Sequence, residues 1–129
     1  TCTCSFYDSD LMSAFFFQRI NDHIQYLRRL EKRLKGDGDF QGSDYHDCQL
    51  GKWLYGPGQE EVIAFGEDAK RCFEKLLEPH RQFHEAGALA LVAAQEGRAA
   101  EVKAAITEML KLSNTLVNGM MDLDRLSRF

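Results

Sequence analysis

Between residues 15 and 35 the apolar positions return every three or four residues, at Phe16, Ile20, Leu27, Leu30 and Leu34. Steps of that size bring side chains back to one face of an α-helix, whereas a strand alternates faces at every residue. The segment therefore predicts an amphipathic helix with a buried seam, and His23 falls inside that seam among aliphatic neighbours. Only two prolines interrupt the whole chain, and no stretch alternates apolar and polar residues for long. Strands are not expected. The predicted fold is all-α: an antiparallel four-helix bundle with an additional short helix that carries Cys48.

The first helix is expected from Ser9 or Asp10 to Lys35, with Gly36 as its stop. Residues 36–47, GDGDFQGSDYHD, read as a polar loop. A short helix should carry Cys48 to Leu54, capped by Asp44 or Asp47, and Gly56-Pro57-Gly58 should end it. A further turn is expected over Glu60 to Phe65. A long helix follows from Glu67 to Gln95, which Pro79 should either kink or split into two. Gly97 breaks it, and a last helix runs from Ala99 to Leu126, with Val102, Ile106, Leu110, Val117, Met120 and Leu123 turned inward. A chain of 129 residues can bury one core without disulfides or metal. One domain is expected over residues 11–129, preceded by a flexible segment at residues 1–10.

Charge and apolar content narrow the function. Net charge is −4, which does not suit nucleic acid. The basic run Arg28, Arg29, Lys32, Arg33 and Lys35 is interrupted by Glu31 and lies on the polar side of its helix, as a solvated face would. No stretch approaches the 18 apolar residues of a membrane span, and no charged, apolar leader pattern is present. Cys2, Cys4, Cys48 and Cys72 do not form a disulfide-like spacing. A reducing cytoplasm is the expected compartment.

The chemistry gathers in three places. Cys48 opens the run Cys48-Gln49-Leu50-Gly51-Lys52-Trp53, His80 and His84 stand four apart on one helix face, and His23 lies in the first seam. Each alone has an ordinary reading as a buried, hydrogen-bonded side chain. Burying three imidazoles and a thiol together in one small bundle costs desolvation of several polar groups. A metal offsets that cost, and one thiolate with three imidazoles is a complete tetrahedral zinc set. Gly51, three residues after Cys48, shares the thiol's helix face and costs about 1 kcal/mol in helix propensity. It is expected where another helix approaches closely. Trp53 reads as a core anchor.

The segments His23-Ile24-Gln25-Tyr26, Cys48-Gln49-Leu50-Gly51-Lys52-Trp53 and His80-Arg81-Gln82-Phe83-His84 resemble, in order and separation, the bacterial chemoreceptor zinc-binding (CZB) domain family. The resemblance spans roughly residues 15 to 126. It implies that His23, Cys48, His80 and His84 bind one Zn2+ per chain. It also implies a homodimer and a cytoplasmic role in regulating an attached output module, such as a chemoreceptor signalling region or a diguanylate cyclase. The chain contains neither a GG[DE]EF motif nor a long chemoreceptor hairpin.

The remaining chemistry-bearing residues have plainer readings. His46 is expected to be solvated or to support a ligand, Cys72 to be a small buried residue, and Cys2 and Cys4 to sit in a disordered terminus. An enzyme is not expected, because no Glu-x-x-His pair of a di-iron bundle occurs. The reading is a zinc-binding sensor of zinc, oxidants or both. Alternatives are a metal-dependent hydrolase-like bundle, should Cys48 not be a ligand, and a metal-free helical interaction domain.

Overall fold

The computed structural model describes the backbone of residues 2–127 and the side chains of residues 14–127. The thiols of Cys2 and Cys4 lie outside the described residues. Five helices follow in order: α1 (Cys2–Leu34), α2 (Gln49–Leu54), α3 (Gly58–Ile63), α4 (Glu67–Gln95) and α5 (Ala99–Leu126). No strand occurs among the described residues. The all-α expectation stands.

The seam read from the first helix is the one that packs. Phe16, Ile20, His23, Leu27 and Leu30 are all buried. The helix begins earlier than the expected Ser9 or Asp10, so its backbone takes in residues 2–10, expected as a flexible segment. It ends at Leu34. Gly36 takes φ 90°, and the paired bonds Asp37 N–H to Lys32 O and Gly36 N–H to Arg33 O close the last turn.

α4 continues through Pro79 as one helix. A proline withdraws one backbone donor, but neighbouring turns can carry the helix across it when packing on both sides holds the axis. Three long helices and two short ones therefore replace the four long segments and one short one expected from the sequence. α4 and α5 form the most extensive pairing, antiparallel across the turn at residues 96–98. α1 packs antiparallel to α5, with His23 against Ser113 and Phe17 near Met121. Against α4 it runs parallel: His23 meets Phe83, Tyr26 meets His84, and Leu30 lies beside Gly87. The crossover through residues 35–66, which contains α2 and α3, makes the parallel pairing possible.

The α5 seam differs from the expectation. Met109, Leu112, Ser113, Leu116, Met120 and Leu123 are buried, whereas Leu110 is 50% exposed and Val102, Ile106 and Val117 are half-buried. The expected register drifts across the helix face, while Met109, Ser113, Leu116, Met120 and Leu123 follow alternating four- and three-residue steps with Leu112 beside them. Trp53 closes the core beneath α2, 5% exposed, with its ring against Phe15, Phe16 and Phe73. Its indole N–H donates to Glu61 Oε2 at 2.8 Å, tying α2 to α3.

Candidate metal centre

Cys48 sits at the N-cap of α2, one residue ahead of the helix, with extended backbone at φ −71° and ψ 163°. It takes the capping role expected of Asp44 or Asp47: the Gly51 N–H donates to Cys48 Sγ at 3.2 Å. Asp44 is engaged elsewhere, with His46 Nδ1 at 2.7 Å. Gly51 is required by contact rather than by conformation. A Cβ there would lie 1.8 Å from the Tyr45 carbonyl oxygen. The expected close approach is real, but the neighbour is the loop just before Cys48 and not another helix. The loop folds back over α2, and a side chain at Gly51 would push it away.

The imidazoles come from α4, where the i, i+4 spacing puts both on one face. His80 is fully buried and its Nε2 lies 3.2 Å from Cys48 Sγ. His84 is 7% exposed, and its Nδ1 is 2.9 Å from the Ser43 carbonyl oxygen. One ligating atom each from Cys48, His80 and His84 falls within 4.8 Å of the others. Ligands of a tetrahedral zinc stand about 3.5 Å apart, given bonds of about 2.0–2.3 Å. The three are thus gathered nearly to coordination distance.

His23 reaches the same place from α1 without joining that set. It is 4% exposed, its ring tilted against Phe83 with ring centres 4.5 Å apart, and its Nε2 is 2.9 Å from Ser113 Oγ on α5. If Nε2 serves Ser113, Nδ1 is the nitrogen free to bind a metal. With Cys48 and His84, His23 lines a 430 Å³ cavity whose wall also carries Asp22, Asp47 and Arg29. Cys48 thus borders open space on one side.

Electrostatics favour neutral imidazoles. Burial pushes His80 down to about 3, and repulsion from His84, His23 and His46 adds to it. Burial, then His84, pushes His23 down to about 4. Burial also lowers His84, against the raising effect of its bond to the Ser43 carbonyl. All three therefore hold free lone pairs at neutral pH. Burial raises the Cys48 thiol, only partly countered by the backbone N–H of Gly51. Metal binding must therefore displace the thiol proton. His80 Nδ1 is buried with no hydrogen-bond partner among the described residues. A soft thiolate with neutral imidazoles suits zinc better than a hard cation.

A family model described as the chemoreceptor zinc-binding domain matches residues 23–91, more than half of the chain. The chain belongs to that family. The match begins at His23 and encloses Cys48, His80 and His84. Comparison with curated proteins and with solved structures gives no match. Among the described residues no helix is long and apolar enough to cross a membrane.

The remaining residues of this chemoreceptor zinc-binding domain occupy plainer places. His46 is exposed, packed between Tyr45 and Tyr55 with ring centres at 4.1 and 4.7 Å. Cys72 is half-buried and its thiol donates to the Gly119 carbonyl at 3.4 Å. Reading the sequence missed Ser113, Ser43 and the hydroxyl of Tyr26. Ser113 left a trace: it is a polar residue four after Met109 and three before Leu116 on the buried face. Ser43 acts through its backbone carbonyl, which no side-chain pattern reveals.

Proposed function

We propose that this domain is a zinc-binding sensor in which His23, Cys48, His80 and His84 hold one zinc ion per chain. The observation that carries the reading is the meeting of Cys48 Sγ and His80 Nε2 at 3.2 Å, with His84 alongside, inside the span matched by the zinc-binding family. Zinc, when bound, would keep Cys48 as thiolate and tie α1, the 36–58 segment and α4 together. Two inputs suit such a site. Loss of zinc frees the three segments. Oxidation of the Cys48 sulfur removes its ligand character and has the same result. The output is an attached or associated signalling module in the bacterial cytoplasm, and the domain itself is regulatory rather than catalytic. It acts as a homodimer. Phe17, 56% exposed, and Met121, 50% exposed, flank a shallow cleft between α1 and α5, and a second copy would cover them.

Elemental analysis of protein purified without chelator tests the site; one zinc per chain is expected, and no metal or two irons would sink it. Hypochlorous acid tests the oxidant input. Zinc should leave in step with Cys48 oxidation, equally in a Cys2→Ser, Cys4→Ser, Cys72→Ser variant. Zinc release with Cys48 still reduced would leave zinc availability as the signal.

One observation favours a second reading. His23 stands outside the three-residue set and is engaged by Ser113. A site of Cys48, His80 and His84 alone would leave a fourth position for water, as catalytic zinc sites do. X-ray absorption separates the two through the outer-shell scattering of the imidazole rings, three per zinc for the sensor or two for the open site, each with one sulfur.

A further inference from the structure

His84 is fixed by a relay that starts on another helix. Its Nδ1 faces the Ser43 carbonyl oxygen at 2.9 Å. A carbonyl only accepts, so Nδ1 carries the proton and the lone pair resides on Nε2. Ser43 lies in a loop without regular structure. It is held from α1, where its N–H donates to Tyr26 Oη at 2.8 Å and Tyr26 Oη donates back to the Ser43 carbonyl oxygen at 3.3 Å. That carbonyl oxygen thus accepts from both Tyr26 and His84. Cavities of 650 and 430 Å³ flank the loop, and Ser43, Tyr26 and His84 line both. With open space on two sides, the loop depends on hydrogen bonds more than on packing to keep its place.

We propose that Tyr26 is a positioning residue for the metal centre: its hydroxyl, acting through the Ser43 peptide, holds His84 in the tautomer and orientation that present Nε2 to the metal. The inference rests on His84 being a ligand and adds the group that makes it ready. The Tyr26 ring has a separate task. It packs on His84, Phe40 and Phe83 with ring centres at 4.7, 5.1 and 6.0 Å, contacts that phenylalanine would keep.

Tyr26→Phe therefore removes the relay and little else. Zinc affinity, measured by competition with a chromogenic chelator, should fall about tenfold, the usual scale for losing a group that orients a metal-binding histidine. In a His84→Ala background the same change should alter affinity by less than about twofold, since the residue acted upon is gone. Nitrogen-edited NMR of zinc-free protein supplies a readout without metal. The His84 Nδ1–H should exchange with water faster in Tyr26→Phe than in wild type. Gly42→Ala gives a second approach with Tyr26 intact. Gly42 has φ 78°, and a Cβ there would lie 3.2 Å from Tyr26 Oη, so the variant should weaken zinc binding by straining the loop that carries the Ser43 peptide as well as by pressing on the hydroxyl. Tyr26→Phe with wild-type affinity and unchanged His84 exchange overturns the proposal. So does an equal loss in the His84→Ala background, which would make Tyr26 a support of the fold. Wild-type protein that takes up no zinc overturns the metal-site reading and this one with it.

Discussion

Gly51 shows how one missing side chain can decide a site. The Tyr45 carbonyl occupies the space a Cβ would need, at 1.8 Å, and the backbone N–H of the same glycine reaches Cys48 Sγ. Gly51→Ala should therefore lower the thermal midpoint and weaken zinc retention together. The stability loss should be about 2 kcal/mol, since backbone must move and not merely a flexible side chain. An alanine variant as stable and zinc-competent as wild type would refute the contact. The histidines predict a pH dependence. His23 and His80 have folded-state values of about 4 and about 3 against 6.5 for the free side chain. The unfolded chain thus binds protons more readily, so their contribution to stability is complete above pH 6.5 and is lost as pH falls from 6.5 toward 4. Denaturant titrations of chelator-treated protein should show this loss, with a slope of about 1.4 kcal/mol per pH unit for each histidine, ending near pH 4 for His23 and continuing to about pH 3 for His80. A flat profile across that window would mean the imidazoles are solvated. That Cys48, His80 and His84 gather was legible from the sequence, through residue type and the cost of burying such groups apart. The backbone groups that orient them, Ser43 O and Gly51 N–H, were not, because every residue has a carbonyl and nearly every one an N–H.

At the scale of elements, periodicity served where a seam was long and uniformly apolar, and failed where it was mixed. The α1 stripe from Phe16 to Leu30 packs as read. On α5, apolar residues occur all round the helix, so whether Leu110 or the adjacent Met109 turns inward is decided only by tertiary packing. The cap of α2 departs from its expectation for a different reason: aspartate is the stronger capping residue in general, but Cys48 holds the position and its sulfur accepts the bond. The division between helices also governs what chelation should do. α4 and α5 bury Phe73, Leu76, Phe83, Met109, Leu116 and Leu123 independently of any metal, whereas residues 36–47 have little regular structure. Removing zinc should leave helical content nearly unchanged while amide hydrogen exchange accelerates in residues 36–58. Cooperative unfolding of the whole domain on chelation would contradict this.

For the whole molecule, the bundle class could be read from the chain, but the direction of its members could not. α1 lies parallel to α4 because residues 35–66 carry the chain back along the bundle, and no local pattern encodes where a long connection returns. The exposed Phe17 and Met121 carry the prediction at this scale. Light scattering at tens of micromolar should give twice the chain mass, and Phe17→Glu should give a monomer that still binds zinc. A wild-type monomer would refute the homodimer.

α1 also has a mechanical consequence. At 33 residues it is about 50 Å long, and His23 stands about 30 Å from its first residue. A metal bound there, as proposed, would grip the helix well away from its end. A tilt of about ten degrees pivoting there would sweep the far tip through about 5 Å, close to a full helical turn. Any rotation of α1 about the proposed site is thus magnified along the long arm of the helix.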